Sequence, residues 1–123
     1  MASDSRKIRV DRHEGVAVVT VCGALDLNDV AEVVDAFTQA LSDASTDATL
    51  IDLSGVTFAD SAFLNQLLVT YSGHGLKRRP LALGGPLTPT LGRLLEITGT
   101  DTVLPLAATR SEALERLRAP SQR

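Results

Sequence analysis

Apolar and polar residues alternate with a period of two at the start of the chain. Ile8 and Val10 alternate with charged residues between Lys7 and Arg12, which predicts a half-buried strand. His13 to Gly15 have the composition of a tight turn into a β-branched run over Val16 to Cys22. The chain therefore begins with a predicted β-hairpin.

The pattern then changes to a helical period. The apolar positions that share one helix face are Val30, Val33, Val34, Phe37 and Leu41. Asp29, with Glu32 three residues later, forms a capping-box pattern at the start of this helix. Thr49 to Leu53 is a continuous apolar run, typical of a strand covered on both faces. We expect a loop over Ser54 to Asp60 after it.

A leucine-rich stripe predicts the second helix. Its buried face is expected to consist of Leu64, Leu67, Leu68 and Tyr71. Gly73 and Gly75 offer a signal for its end. A short apolar run over Leu81 to Leu83 then predicts another strand.

Two capped helices are predicted in the last third of the chain. The dipeptide Thr88-Pro89 begins the first, which ends before Gly99. A short strand over Thr102 to Leu104 is expected next. Thr109 and Glu112 cap the last helix. The apolar stripes of the two helices are Leu91, Leu94, Leu95 and Thr98 in the first, and Ala113, Leu114 and Leu117 in the second.

Strands that alternate with helices predict an α/β fold with a mixed, mostly parallel sheet of about five strands and about four helices. We expect one domain over residues 1–123, with a core over about residues 6–118. Residues 1–5 and 119–123 are expected to be frayed ends. Partners of such folds favour the loops at the carboxyl ends of strands, which here are Gly23 to Asp26 and Thr57 to Ser61.

Composition narrows the class of protein. The 123 residues are 44% hydrophobic and 22% charged, as in an ordinary globular domain. The one cysteine, Cys22, has no internal partner for a disulfide and is expected to be a small buried hydrophobe. The charged amino terminus is unlike a signal peptide, and no run approaches the ~18 apolar residues of a membrane span. These features indicate a cytosolic domain without a metal site or a membrane partner.

Charge is distributed unevenly along the chain. Between Glu14 and Leu76 there are nine acidic residues and no Lys or Arg, whereas the flanks hold all 12 basic residues. This segregation predicts an acidic surface in the middle of the chain, with the basic residues gathered elsewhere. The densest basic run, Lys77 to Arg79, is interpreted as a solvated loop. No nucleic-acid motif accompanies it, and aromatic residues make up only 3% of the chain.

Two motifs and a closing segment resemble those of a known family. Leu50 to Ser61 (LIDLSGVTFADS) is similar to the signature of the STAS domain, the domain of anti-sigma factor antagonists. Gly23 to Leu27 (GALDL) resembles the earlier motif of that family. Leu94 to Gly99, followed by Glu112 to Leu114, resembles its closing elements. The resemblance covers the chain in the right order and implies the STAS fold.

The resemblance also implies a phosphorylation site that controls partner binding. Antagonists of this family begin the helix after the third strand with Asp-Ser-Ser/Thr-Gly, and a kinase that is also the anti-sigma factor phosphorylates the third residue. Asp60 and Ser61 match, whereas Ala62 stands at the acceptor position and Phe63 at the glycine position. Alanine has no hydroxyl to phosphorylate. The resemblance thus implies that Ser61 substitutes as acceptor, or that binding is free of this control.

The residues at this helix start have both structural and functional interpretations. Ser61 is either a helix cap or a phosphorylation site. Asp60 is interpreted first as a capping or loop-fixing carboxylate and second as a contributor to partner recognition. Asp26 either braces its turn or lines the binding face. Phe63 either packs under a neighbouring loop or is an exposed aromatic anchor, which would alter or block the partner surface. The predicted partner-binding residues are Asp26, Asp60, Ser61, Ala62, Phe63 and Gln66.

The sequence does not favour an enzyme. Ser61, Asp60 and a histidine could form a triad on paper, but the G-x-S-x-G turn is missing, and His13 and His74 are expected to be solvated. Metal-binding and dinucleotide motifs are also missing, so no cofactor is expected. Gly84 to Pro86 is a turn that lacks the Lys of a phosphate loop.

Three functions remain open. The first is a regulatory module that binds an anti-sigma factor with serine-kinase activity, and so releases a sigma factor. The second is a degenerate copy that self-assembles or joins a signalling complex. The third is a small-ligand binder that uses the carboxyl ends of the strands.

Overall fold

The structure is a computed structural model that describes residues 7–118. Within these residues the chain forms five strands and four α-helices in the order expected of an α/β domain. The strands are β1 (Ile8–His13), β2 (Val16–Leu25), β3 (Ala48–Ala59), β4 (Leu81–Gly84) and β5 (Leu106–Ala107). The helices are α1 (Val30–Ser42), α2 (Ser61–Leu76), α3 (Pro89–Thr98) and α4 (Arg110–Arg118). The predicted frayed ends lie outside the described residues.

The strands form one mixed sheet in the order β1-β2-β3-β4-β5. β1 and β2 are antiparallel, and every other neighbouring pair is parallel. The turn between β1 and β2 places Glu14 at φ 52° and Gly15 at φ 83°, the left-handed conformations that a two-residue hairpin turn requires. The predicted hairpin and mostly parallel sheet are confirmed.

Helices cover both faces of this sheet. On one face, α1, α2 and α3 pack on the larger hydrophobic cluster, which includes Val19, Ile51 and Leu83. On the other face, Ala113 of α4 packs on a smaller cluster that includes Val18 and Leu50. Because both faces of β3 are covered, its first six residues are all buried, including the polar Thr49 and Asp52, and the strand predicted over Thr49 to Leu53 is confirmed.

β2 and β3 are longer than the apolar pattern indicates. The predicted loop over residues 54–60 is wrong, because β3 continues to Ala59 and β2 continues to Leu25, and these two residues are partners in the parallel ladder. The extension includes irregular register near Cys22, which pairs with Gly55. Each strand supplies the backbone hydrogen-bond partners of the other, so mixed polar and apolar residues remain extended.

The second helix also differs from its prediction. It runs through Gly73 and Gly75 to Leu76, and Tyr71 is partly exposed instead of buried. His74, expected to be solvated, is 1% exposed and contacts two threonines. Its Nδ1 lies 2.7 Å from the Thr70 carbonyl oxygen, and its Nε2 lies 2.9 Å from the Thr49 hydroxyl. Burial lowers the pKa of His74 because the imidazolium would lose its hydration.

Three smaller predictions are corrected. The strand expected over residues 102–104 is wrong: Thr100–Thr102 is a 3₁₀ turn, and β5 follows it at Leu106–Ala107. Cys22 is exposed, whereas its neighbour Val21 is buried in the larger core cluster. In the basic run, Arg79 is half-buried and donates to the Thr46 hydroxyl and to the Asp43 carbonyl oxygen. The predicted caps at Thr88 and Thr109 are confirmed, as is the end of α3 before Gly99, which has a left-handed conformation.

Candidate functional site

Two aspartates are adjacent at the carboxyl ends of β2 and β3. Leu25 and Ala59 are partners in the parallel ladder. Asp26 directly follows Leu25, and Asp60 directly follows Ala59. The amide N–H of Asp60 donates to the carbonyl oxygen of Leu25 at 3.1 Å, so the ladder extends to the base of both loops. The two motifs that carry the family resemblance are therefore side by side in space.

Asp60 is the N-cap of α2. Its Oδ1 accepts hydrogen bonds from the amides of Ala62 at 3.0 Å and Phe63 at 3.2 Å. The carboxylate thus satisfies two of the free N–H groups of the first turn and adds a favourable charge at the positive end of the helix dipole. The predicted capping role of Asp60 is confirmed. Ser61 is exposed at the first position of the helix and does not cap it, so the interpretation of Ser61 as a helix cap is wrong.

Asp26 and Asp29 hold the loop between β2 and α1. Asp26 accepts from the amide of Asn28 at 2.9 Å, and the amide of Asp26 donates to Asp29 Oδ2 at 2.9 Å. The capping box is therefore Asp26 with Asp29 around a short 3₁₀ turn, and the predicted pair of Asp29 with Glu32 is wrong. The hydrogen bond from the Asp26 amide and the ammonium of Lys7 at 3.1 Å lower the pKa of Asp29. Asp26 does brace its turn, while it remains exposed.

The start of α2 presents a small exposed surface. Its members are the exposed Asp26 and Ser61 with the half-buried Asp60, Ala62 and Gln66, and we call these five residues the rim. Phe63 does not belong to it. Its side chain is 1% exposed in the larger core cluster, so the exposed aromatic anchor is wrong and the buried alternative is confirmed.

A narrow groove between α1 and α2 continues from Gln66 along the helices. It has a volume of about 140 Å³ and includes Val34, Phe37 and Val69 in its lining. Val34 and Val69 are 40% and 54% exposed, which makes them apolar surface residues beside the rim. Val34 was predicted on the apolar face of α1, and its exposure corrects that prediction. Val69 was not singled out by the sequence, although an apolar residue outside the predicted stripe of α2 was a signal that could have found it.

A second apolar groove lies on the other side of the rim, between the end of β3 and α3. It has a volume of about 350 Å³. Phe58 and Ile97 are 49% and 72% exposed there, and Arg93 is its one charged lining residue. Phe58 lay within the predicted loop at the strand end. Its outward position follows from the irregular register between Val56 and Phe58, which leaves Thr57 without a partner and puts Phe58 on the opposite face from the buried Val56.

The charge segregation of the sequence is partly cancelled in three dimensions. Four basic residues of the flanks form ion pairs with acidic residues of the middle segment, which corrects the expectation that they gather elsewhere. The pairs are Lys7–Asp29, Arg12–Asp43, Arg110–Asp52 and Arg118–Glu14. The Arg12 guanidinium holds the pKa of Asp43 well below its usual range. Asp26 and Asp60 take part in none of these pairs among residues 7–118, so the rim keeps its negative charge.

The serine–histidine alternative has no geometric support. His13 is the last residue of β1, and His74 contacts Thr49 at the start of β3. Both imidazoles are thus at the amino ends of the parallel strands, whereas Ser61 is at the carboxyl ends. Residues 7–118 contain no cluster of His, Cys, Asp and Glu that could hold a metal ion. No helix in the same part of the chain is long and apolar enough to cross a bilayer.

The fold and the rim define a small α/β domain with a candidate binding surface, which is a capped helix start beside two parallel strand ends. A family model, Mlab, STAS domain, matches residues 8–106. The anti-sigma-F factor antagonist RsfB of Mycobacterium tuberculosis is 33% identical over 119 residues, which are 95% of this chain and 93% of that protein.

Solved structures agree with this relation. The anti-sigma factor antagonist of Mycobacterium paratuberculosis has a TM-score of 0.82 at 32% identity, over 91% of this chain and 93% of that one. A STAS domain protein of Planctomyces limnophilus, an anti-sigma-factor antagonist, has a TM-score of 0.79 at 28% identity, over 91% and 98% of the two chains. The chain belongs to the STAS domain family of anti-sigma factor antagonists.

Proposed function

We propose that this protein binds an anti-sigma factor through the rim and thereby releases a sigma factor for transcription. The observation that supports this most directly is the hydrogen bond from Asp60 to Leu25, because it joins both family motifs into one exposed surface. The names of the relatives support the partner class: RsfB is an anti-sigma-F factor antagonist, 33% identical to this chain. Binding would take place in the cytosol, where transcription occurs.

The negative charge of the rim indicates which kind of partner surface would fit it. Asp26 and Asp60 direct their carboxylates to backbone amides of this chain, and their negative charge is not neutralised by a basic side chain among the described residues. A partner with Arg or Lys at the facing positions would gain attraction as it approaches. The exposed Val34 and Val69 would add apolar area beside Gln66. We therefore expect an affinity that falls as ionic strength rises.

We further propose that this binding is not switched at Ala62. The second position of α2 has no hydroxyl, and the remaining candidate is Ser61. Asp60 already occupies the amides of the first turn, so a phosphate on Ser61 would approach a carboxylate instead of free N–H groups. Charges about 4 Å apart repel by ~1–4 kcal/mol at surface and bulk dielectrics. A phosphate on Ser61 would thus repel the Asp60 carboxylate and add negative charge to the rim, which changes the surface that a partner would contact.

The direct test uses the purified anti-sigma factors of the source organism, each in complex with its sigma factor. Addition of this protein should displace the sigma factor from one of them, measured by size-exclusion chromatography and by calorimetric titration. Asp60→Asn keeps the cap but removes the charge, and we expect it to weaken binding about tenfold. Ser61→Glu should also weaken it, because a bulky carboxylate replaces a small hydroxyl and would lose its hydration against the partner.

Asp35→Asn is the matched control. Asp35 is exposed on α1, so the variant loses the same charge outside the rim. Its affinity should equal that of the wild type. The proposal is overturned if no anti-sigma factor releases its sigma factor, or if Asp60→Asn and Asp35→Asn bind equally well.

A further inference from the structure

The outer edge of β1 has unpaired backbone groups. Among residues 7–118, β1 pairs with β2 alone and lies at the end of the sheet. The amide of Cys22 donates to the carbonyl oxygen of Lys7 at 2.8 Å, so Lys7 directs its backbone towards β2. Backbone groups in an antiparallel ladder alternate between the two sides. Those of Ile8, Val10 and Arg12 therefore point away from the sheet.

Two exposed side chains of opposite charge lie two positions apart along this edge. Arg9 and Asp11 project from the same face, with side chains 68% and 54% exposed and 3.1 Å between Nε and Oδ2. Val10 projects from the other face and packs partly on the larger core cluster. Arg12 is held against Asp43 at 2.7 Å, so its side chain is drawn towards α1 and its backbone groups stay at the edge.

We propose that a second copy of this chain pairs with β1 in an antiparallel register, so that the two sheets become continuous. In this register Val10 lies opposite Val10 of the second copy, and a two-fold axis passes between them. The outward backbone groups then meet in hydrogen-bonded pairs. Arg9 lies opposite Asp11 of the second copy, in the non-hydrogen-bonded pairs whose side chains are closest.

The charges select this register over its neighbours. Only every second residue of β1 has outward backbone groups, so a two-fold strand pair can shift only in steps of two residues. Val10 then faces Ile8 or Arg12 of the second copy instead of Val10. One such step in either direction places Arg9 opposite Arg9, or Asp11 opposite Asp11, and like charges directly opposite destabilise a strand pair. The central register has two Arg–Asp pairs and no like pair at these positions. The edge is thus self-complementary, as a two-fold interface requires.

This surface is separate from the rim. No rim residue lies on β1, and β2 separates β1 from β3 in the sheet. A dimer formed in this way would present two rims at once. The dimer and the binding of an anti-sigma factor can therefore fail independently of each other.

The test is the mass of the protein in solution by sedimentation equilibrium, up to about 1 mM because a single strand pair is a small interface. The wild type should approach twice its monomer mass. Arg9→Asp and Asp11→Arg should each raise the dissociation constant about tenfold, since each converts two attractive pairs into repulsive ones. The double variant R9D/D11R should recover wild-type association, and an equimolar mixture of the single variants should also associate. Both positions are exposed, and circular dichroism of each variant checks whether it is folded.

A cross-link reports the register directly. Val10→Cys in a Cys22→Ser background should form an intermolecular disulfide on mild oxidation, because Cα atoms of a hydrogen-bonded pair are about 5.5 Å apart. Arg12→Cys in the same background should not, because residue 12 lies opposite residue 8. A wild type that stays monomeric at every concentration overturns the proposal. So do single charge variants that associate as well as the wild type, or equal cross-linking at positions 10 and 12.

Discussion

The amide N–H of Asp60 donates a hydrogen bond to the carbonyl oxygen of Leu25 at 3.1 Å. This bond is the last of the parallel ladder between β2 and β3, and the two loops of the rim begin directly after it. The position of Asp26 relative to the start of α2 is therefore set by strand pairing. A change in either loop should alter binding before it alters the sheet.

Removal of the cap at α2 should destabilise the fold. In Asp60→Ala the amides of Ala62 and Phe63 lose their acceptor, and we expect the free energy of unfolding to fall by about 1 kcal/mol. Asp60→Asn retains an acceptor oxygen and should lose much less. Urea denaturation followed by circular dichroism measures both. Equal losses for the two variants would show that the charge, and not the hydrogen bonds, stabilises the helix start.

Restoring a hydroxyl at the acceptor position should restore modification. We expect Ala62→Ser, incubated with the cognate anti-sigma kinase and ATP, to gain one phosphate by intact mass. The matched control is Ala31→Ser, because Ala31 is the second residue of α1 as Ala62 is of α2. The control should stay unmodified. Phosphate on the control, or none on Ala62→Ser, would contradict the carry-over of the family position to residue 62.

His74 should make stability depend on pH in mildly acidic solution. Burial lowers the pKa of His74 in the folded protein, whereas the pKa of this histidine in the unfolded chain is about 6.5. Between the folded and unfolded pKa values the unfolded state binds more protons. The free energy of unfolding therefore falls as pH drops below about 6.5, by at most ~1.4 kcal/mol per pH unit.

The variant His74→Gln should reduce this slope, measured by urea denaturation between pH 7 and pH 5. His13→Gln is the control for the loss of an imidazole outside the core, because His13 is exposed at the end of β1. If both variants keep the wild-type slope, the dependence has another origin.

Gly55 is required by the close approach of β2 and β3. A Cβ at this position would lie 2.8 Å from the Cβ of Cys22, too close for two strands that are paired there. We expect Gly55→Ala to lower the free energy of unfolding by about 1–3 kcal/mol. The added variant Cys22→Gly should recover part of the loss, since it removes the atom that clashes.

The control for this prediction is Gly75→Ala. A Cβ at Gly75 meets nothing within 4 Å, and the residue lies in α2, so the variant should be neutral or up to about 1 kcal/mol more stable. Thermal unfolding of the three variants separates the steric effect from the general preference for alanine. A Gly55→Ala protein as stable as the wild type would contradict the assigned contact.

Much of the candidate site could be read from local sequence. The cap at Asp60 depends only on amides two and three residues away, and the motif beginning at Leu50 placed Ser61 at a helix start. The exposed positions of Val34 and Val69 in the groove between α1 and α2 were not predicted, because the sequence pattern of an exposed apolar residue on a helix is the same as that of a buried one until the neighbouring helix is placed. The burial of Phe63 was left open for the same reason.

The sequence by itself determined the order and type of most elements, because helical and strand periods are properties of residues within a few positions of one another. Tertiary structure alone decided how far β2 and β3 extend, that His74 is buried and Cys22 exposed, and which charges meet. These outcomes depend on partners distant in the chain: Arg110 pairs with Asp52, 58 residues away. No local pattern contains such a pair, since its energy exists only once the intervening strands and helices are packed.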